Sequence, residues 1–148
     1  MNNELVYIFL DIDGVLNNDA ARRLHPGNDM RILSNDNLKE LTYLINKINK
    51  KYLIILISTW RYSIDNIDLL KQSLNNYGLS LFDCLDIDDT KSKGELIIEY
   101  CQKRNILFDN ILILDDAYIG ELSNRLVKCN FKFGLTRYET EYALKLLK

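Results

Sequence analysis

The segment VYIFLDIDGVLN, residues 6–17, decides the fold. Five apolar residues come first, and two carboxylates, Asp11 and Asp13, follow one residue apart before Gly14. A continuous apolar run is typical of a strand that is covered on both faces, as in the parallel sheets of α/β proteins. Asp13 and Gly14 alone would fit an ordinary turn. Asp11 fits a turn less well, and in open α/β sheets the carboxyl ends of the strands form the ligand crevice.

The rest of the chain alternates between strand-like and helix-like patterns. Apolar runs predict strands at about 4–11, 52–58, 79–87 and 110–116, and an edge strand at 126–130. Apolar residues at helical spacing predict helices at about 36–50, from 64 to a stop at Gly78, at 93–104, and after a T-x-x-E capping box at 136–139. A polar connection, residues 17–34, follows the first strand. This order predicts an α/β fold: a doubly wound, mainly parallel sheet with helices on both faces.

Length and composition indicate an ordinary globular chain. Its 148 residues, 47% hydrophobic and 27% charged, suffice for one core, so we expect a single domain over residues 1–148. No apolar run approaches the roughly 18 to 20 residues that span a bilayer. The N-terminus lacks a signal-peptide pattern, and we expect a cytoplasmic protein without membrane contact. A formal net charge of −2 disfavours wrapping of long nucleic acids, although a local contact to one phosphate is compatible with it.

Chemically capable residues stand where three predicted strands end. They are Asp11 and Asp13 after the first strand, the segment STWR (58–61) after the second, and Asp115 and Asp116 after the strand at 110–116. Lys93 opens a predicted helix beside the same edge. Three widely spaced cysteines and one histidine offer no zinc pattern. Four carboxylates that lie so near one another repel each other and need a cation, and hard oxygen ligands select Mg²⁺. A site with Mg²⁺, a lysine and a hydroxyl suits a phosphoryl group, whose negative charge must be neutralised.

These motifs, in this order, resemble those of the haloacid dehalogenase (HAD) superfamily of phosphohydrolases. The DxDGV(L)N segment, a Ser or Thr at a strand end, a Lys opening a later helix and a strand-terminal DD carry the resemblance, which extends from residue 5 to about 117. The segments DIDGVLN, STWR, KGELI and GLT are similar, more narrowly, to the HAD domains of RNA-repair proteins and of polynucleotide kinase-phosphatases. The resemblance therefore implies a HAD-like Rossmannoid fold and phosphatase chemistry.

The resemblance also implies catalytic roles. Asp11 would be the nucleophile that forms an aspartyl-phosphate, and Asp13 would protonate the leaving oxygen and later deprotonate water. Thr59 would bind the transferring phosphoryl group through its hydroxyl, with Ser58 as the rival for this position. Lys93 would neutralise Asp11 and the phosphoryl group, and Lys91 is the second candidate for that role.

The remaining implied roles concern the substrate and the metal. Thr59 and Arg61 match a Ser-x-Arg pattern of polynucleotide phosphatases, which makes Arg61 a contact to the substrate phosphate. Gly14 would permit the bend after the nucleophile and border the substrate. The expected Mg²⁺ ligands are Asp11, Asp13, Asp115 and Asp116.

The spacing of the motifs bears on the substrate. The connections 15–34 and 62–90 are too short for a cap domain, so we expect an essentially capless enzyme with an open site. Such a site suits a phosphate on a macromolecule. The leading substrate is a polynucleotide end, in the first place a 3′-phosphate, and the expected role is nucleic acid repair. Phosphoproteins, small phosphate esters and a catalytically idle binding module are the alternatives. DNA or RNA, the 3′ or 5′ end, the oligomeric state and work beside a separate kinase or ligase all stay open.

Overall fold

The computed structural model describes residues 5–24 and 32–148 of the chain, and within these ranges one parallel sheet has five strands in the order β3-β2-β1-β4-β5. The strands are β1 (Leu5–Leu10), β2 (Lys51–Leu56), β3 (Leu81–Cys84), β4 (Ile111–Asp115) and β5 (Leu126–Lys128). The helices are α1 (Asp19–Arg23), α2 (Asn35–Ile48), α3 (Ile64–Asn75), α4 (Lys93–Lys103) and α5 (Arg137–Leu146). The predicted α/β fold with a parallel sheet is confirmed.

Helices cover both faces of the sheet because the strands are apolar on both sides. In β1, Ile8 and Leu10 join one core and Phe9 joins the other. The first core packs α2, α3 and α5 on one face through Leu41, Leu44, Leu70, Leu74 and Ala143. The second core packs α4 on the opposite face through Leu96, Ile97, Tyr100 and Cys101. The alternating burial of neighbouring strand residues thus fixes the three-layer arrangement.

The order of the strands creates a switch point beside β1. From β1 the chain moves outward through β2 to β3, with α2 and α3 on the same face. It then crosses over through α4 on the other face to β4, which pairs with the free side of β1. In open α/β sheets, ligands bind outside the carboxyl ends of the strands at such a switch point. The edge between β1 and β4 is therefore the expected place for a site.

Capping interactions define the helix starts near this edge. Ser92 and Glu95 form a reciprocal capping box at the start of α4: Glu95 N donates to Ser92 Oγ at 3.1 Å and Ser92 N donates to Glu95 Oε1 at 2.9 Å. At the start of α5, Thr136 N donates to Glu139 Oε1 at 2.8 Å, as the T-x-x-E pattern predicted. These caps satisfy backbone N–H groups that the first helical turn leaves unpaired.

Some boundaries differ from the sequence-based expectations. The polar connection 17–34 contains α1, a five-residue helix whose start is capped by the Asn18 side chain. Strand β3 is shorter than the predicted 79–87, because it is an edge strand whose register with β2 shifts between Ile54 and Ile55. Residues 1–4 and 25–31 lie outside the described residues, and with them the start of the first predicted strand and the middle of the polar connection. In the part of the chain that the structure describes, no helix is long and apolar enough to cross a membrane.

Candidate active site

The register of the sheet places two of the predicted site residues side by side. Leu10 pairs with Leu114 across β1 and β4, and Asp11 N continues the ladder by donating to Leu114 O at 2.9 Å. Asp11 therefore lies opposite Asp115, at the carboxyl ends of neighbouring parallel strands. Asp11 is 7% exposed and Asp115 is fully buried. Two carboxylates are held together here in a largely water-excluded place.

Asp116 completes a group of carboxylates. Among the described residues, Asp11, Asp115 and Asp116 each offer a carboxylate oxygen, and these oxygens lie within 4.8 Å of one another. Burial, with the negative charge of Asp115 as the next cause, raises the pKa of Asp11 to about 8. The same two causes, in the same order, raise the pKa of Asp116. The raised pKa values mean that the surrounding protein groups do not fully compensate for the negative charge of these carboxylates.

Lys93 supplies a positive charge beside this group. It is the first residue of α4, and its Nζ lies 2.7 Å from Asp115 Oδ2 and 3.9 Å from Asp11 Oδ1. Lys91, the second candidate for this role, instead pairs with Glu99 at 2.7 Å. The capping box at Ser92 explains the placement, because it fixes where α4 begins and hence where Lys93 stands. One ammonium group against three carboxylates leaves an excess of negative charge when all are ionised.

This donor set fits Mg²⁺. The ion prefers hard oxygen ligands and is commonly held by a few carboxylates that leave room for water and substrate oxygens. Asp11, Asp115 and Asp116 are the residues that would hold it. The raised pKa values of Asp11 and Asp116 are compatible with this, because a bound cation would offset the cost of ionising buried carboxylates beside the negative charge of Asp115. Asp13, the fourth predicted carboxylate ligand, stands outside the group.

Gly14 brings the loop after Asp11 onto Asp116. Its φ is +83°, in the left-handed region that favours glycine. A Cβ at this position would lie 2.3 Å from Asp116 Oδ2 and 2.8 Å from Asp116 Cβ. Glycine is thus required at this position for two reasons: the backbone conformation, and the close approach to the Asp116 carboxylate.

Asp13 is held by two side chains. Its Oδ1 accepts hydrogen bonds from Asn17 Nδ2 at 2.8 Å and from Trp60 Nε1 at 3.3 Å. Asn17 also closes the loop, since its Oδ1 accepts from Gly14 N at 2.9 Å. The first loop and the segment after β2 are therefore joined through the Asp13 carboxylate.

Ser58 and Thr59 both follow β2, but their surroundings differ. Ser58 is 2% exposed, and its Oγ accepts a hydrogen bond from Trp60 N at 3.1 Å at the start of the 3-10 helix Thr59–Tyr62. Its hydroxyl proton has no acceptor within residues 5–24 and 32–148. Thr59 is exposed. Both hydroxyls can therefore donate a hydrogen bond to a phosphoryl oxygen.

The Ser-x-Arg pattern predicts a contact from Arg61 to the substrate phosphate, and the structure gives its guanidinium other partners. Its guanidinium is buried and donates to four backbone carbonyls, those of Ile57, Ser58, Leu85 and Asp86. An arginine has five N–H donors, so one is left. This geometry does not support a substrate-phosphate contact. Arg61 instead fastens the turn after β2 to the end of β3.

The sequence did not lead us to expect the hydrogen bonds that Asn17 and Trp60 donate to Asp13. Asn17 belongs to the first motif, and its four-residue spacing from Asp13 is a signal that could have indicated a loop-closing contact. Trp60 is 4% exposed, and nothing in the sequence places its indole N–H against a residue 47 positions away.

Comparison with known protein families agrees with the fold and with the arrangement of these residues. A family model described as "HAD domain in Swiss Army Knife RNA repair proteins" matches residues 7–140, which is most of the chain. The matched range contains all the carboxylates described above, together with Lys93. Neither the search of curated proteins nor the search of solved structures gave a significant match.

Proposed function

The chain belongs to the family of HAD domains in Swiss Army Knife RNA repair proteins, and from that premise we propose that it is a Mg²⁺-dependent phosphomonoesterase. The observation that supports this most strongly is the convergence of Asp11, Asp115, Asp116 and Lys93 at the β1–β4 switch point. A carboxylate that could act as the nucleophile, carboxylates that could hold a cation, and an ammonium group lie within a few ångströms of one another. These are the components that phosphoryl transfer requires.

In the first proposed step, an Asp11 carboxylate oxygen attacks the phosphorus of the substrate. The new bond joins Asp11 to phosphorus, the bond between phosphorus and the ester oxygen breaks, and Asp13 gives its proton to that oxygen. In the second step Asp13 takes a proton from water, whose oxygen attacks the phosphorus of the aspartyl-phosphate, and the bond between the Asp11 oxygen and phosphorus breaks. Inorganic phosphate leaves and both carboxyl groups return to their starting states.

Other residues stabilise the charge that moves during these steps. Lys93 lies between Asp11 and Asp115 and would neutralise the phosphoryl oxygens as they approach Asp11. Ser58 or Thr59 would donate a hydroxyl hydrogen bond to one of those oxygens. Mg²⁺, held by Asp11, Asp115 and Asp116, would supply further positive charge to the phosphoryl group.

We propose that the substrate is a phosphorylated polynucleotide end, and that a 3′-phosphate is the leading candidate. The RNA-repair description of the family supports it, and so do the short connections between the motifs. The connection 62–92 consists of α3 and β3, which belong to the main fold and do not form a cap domain over the site. A large substrate can itself exclude water from an open site. A separate ligase would use the 3′-hydroxyl that the reaction leaves, and a separate kinase would supply the 5′-phosphate that ligation also needs.

Phosphate release tests the proposal. The substrates are 3′-phosphorylated RNA and DNA oligonucleotides, a phosphopeptide and 4-nitrophenyl phosphate, each with Mg²⁺ and with chelator. We expect Mg²⁺-dependent release that is fastest with an oligonucleotide, absent in Asp11→Asn and unchanged in Asp109→Asn, a control at an exposed residue before β4. Release from the phosphopeptide or aryl ester alone would overturn the substrate class. No release from any substrate would favour the binding module.

A further inference from the structure

We propose that Trp60 and Asn17 are positioning residues that hold the Asp13 carboxyl by Oδ1, so that Oδ2 is presented to the leaving oxygen. This inference rests on the proposed phosphatase function, because it concerns the group that handles the proton. It goes beyond that function in assigning a task to an indole and an amide to which the proposed mechanism gives no role.

The hydrogen bonds on Asp13 carry the inference. Asn17 Nδ2 at 2.8 Å and Trp60 Nε1 at 3.3 Å donate to the same oxygen, Oδ1. An oxygen that accepts two donors is a poor site for a proton, so the proton that is transferred belongs on the other oxygen. The two donors come from different loops, and together they restrict rotation of the carboxyl group about its bond to the side chain.

The Asn17 side chain is itself fixed. It is 1% exposed, and its Oδ1 accepts from Gly14 N at 2.9 Å. Because a backbone N–H can only donate, the amide oxygen must face Gly14, and the amide nitrogen then faces Asp13. The loop thus sets the orientation of the amide, and the amide sets one of the two hydrogen bonds on Asp13.

Trp60 is equally constrained. Its backbone N–H is capped by Ser58 Oγ, and Arg61 donates to the carbonyls of Ile57 and Ser58 in the same turn. Its side chain lies in the core with Leu56 and Leu70. An indole N–H is a donor only, and a buried one needs an acceptor, which here is Asp13. The buried Arg61 therefore contributes indirectly, by holding the turn that aims the indole.

The chemistry gives this arrangement a distinctive signature. Protonation of the leaving oxygen matters greatly when that oxygen becomes a basic alkoxide, as with a ribose hydroxyl, and little when it becomes a stabilised nitrophenolate. The ratio kcat/KM reports the steps up to phosphoryl transfer to Asp11, which include this protonation. A defect in the orientation of Asp13 should therefore lower kcat/KM for the oligonucleotide far more than for the aryl ester.

The variants Trp60→Phe and Asn17→Ala test this on a 3′-phosphorylated oligonucleotide and on 4-nitrophenyl phosphate. Trp60→Phe keeps a buried ring and removes the N–H. Positioned proton transfer contributes about 10²–10⁴-fold, and we expect each variant to lose roughly 10-fold of it with the oligonucleotide and under about 2-fold with the aryl ester. Tyr62→Phe, an exposed neighbour in the same turn, is the control and should change neither value.

A double-mutant cycle separates positioning from a fold defect. If Trp60 acts through Asp13, Trp60→Phe should cause no further loss in an Asp13→Asn background. Equal losses on both substrates, or full additivity with Asp13→Asn, would overturn the inference while leaving the phosphatase in place. If Trp60→Phe does not fold, Asn17→Ala carries the same comparison. A wild-type protein that releases no phosphate from either ester would instead overturn the proposed function and this inference together.

Discussion

At the scale of single residues, Asp11 has an environment that conflicts with its charge. Burial and the neighbouring carboxylate of Asp115 raise its pKa from 3.8 to about 8. The conflict has a functional explanation under the proposed mechanism, since a carboxylate that is costly to ionise even beside Lys93 is one that gains from a bound cation. The measurable consequence is a dependence of stability on pH in the absence of metal.

We expect the metal-free protein to lose stability as pH rises between about 4 and 8. Asp11 binds its proton more tightly in the folded state than in the unfolded state, so its contribution is fully present below the unfolded pKa and is lost as pH rises through the folded pKa. Thermal melts in chelator, from pH 4 to pH 9, measure this. The Asp11→Asn protein should show a shallower decline over the same range. Identical pH profiles for the two proteins would contradict the assignment.

Gly14 provides a second prediction at this scale. Gly14→Ala should abolish most Mg²⁺-dependent activity, because the new Cβ would lie 2.3 Å from Asp116 Oδ2 and would displace a proposed metal ligand. Gly78→Ala is a matched control. Gly78 has a similar φ of +76° but nothing within 4 Å of the position of its Cβ, so the substitution should cost about 1 kcal/mol of backbone strain and leave activity intact. Phosphate release and melting temperatures distinguish the two variants. Wild-type activity in Gly14→Ala would refute the close-packed loop.

At the scale of elements, the amide of Asn37 joins the start of α2 to the loops on either side. Its Nδ2 donates to Phe133 O at 3.1 Å and to Leu135 O at 2.9 Å, and its Oδ1 accepts from Asn18 Nδ2 at 2.9 Å. Asn37 is 2% exposed. The segment before α5 and the start of α1 are thereby fixed to one residue of the helix between them.

Replacing Asn37 should therefore destabilise the protein. Asn37→Leu leaves two carbonyls and one amide without this partner, and each buried polar group left unsatisfied costs about 1–3 kcal/mol. We expect a loss of at least roughly 2 kcal/mol in the free energy of unfolding, measured by denaturant titration. Asn46→Ala, an exposed position of the same helix, should change it by no more than about 0.5 kcal/mol. A loss no larger than that of the control would show that the network contributes little.

The elements also show what the sequence can indicate. Helices α2 to α5 were predictable because their apolar residues recur at helical spacing over ten or more positions and their starts carry caps. Helix α1 was not, since it has five residues, none of them buried, and depends on the cap of Asn18. The extent of β3 was not predictable either, because a short edge strand with a register shift has no repeating pattern to read.

At the scale of the whole molecule, the alternation of elements implied the parallel sheet and hence a shared edge for the strand-terminal residues. That reasoning was enough to bring Asp11, Asp115, Asp116 and Lys93 to one place. It could not show that Asp13 stands apart from the carboxylate group, or that Arg61 is used by backbone carbonyls, because both depend on how two loops fold over the edge. Contacts between loops of different strands depend on tertiary packing rather than on local pattern.

The central claim is that the switch point of the sheet holds a nucleophile at Asp11. The most direct measurement is to quench the protein with acid during turnover with Mg²⁺, reduce it with borohydride and map the product by mass spectrometry. Reduction of an aspartyl-phosphate yields homoserine, and we expect homoserine at position 11 in the wild-type protein. Continued turnover with Asp11 unmodified in the wild-type protein, or homoserine at another position, would contradict the account.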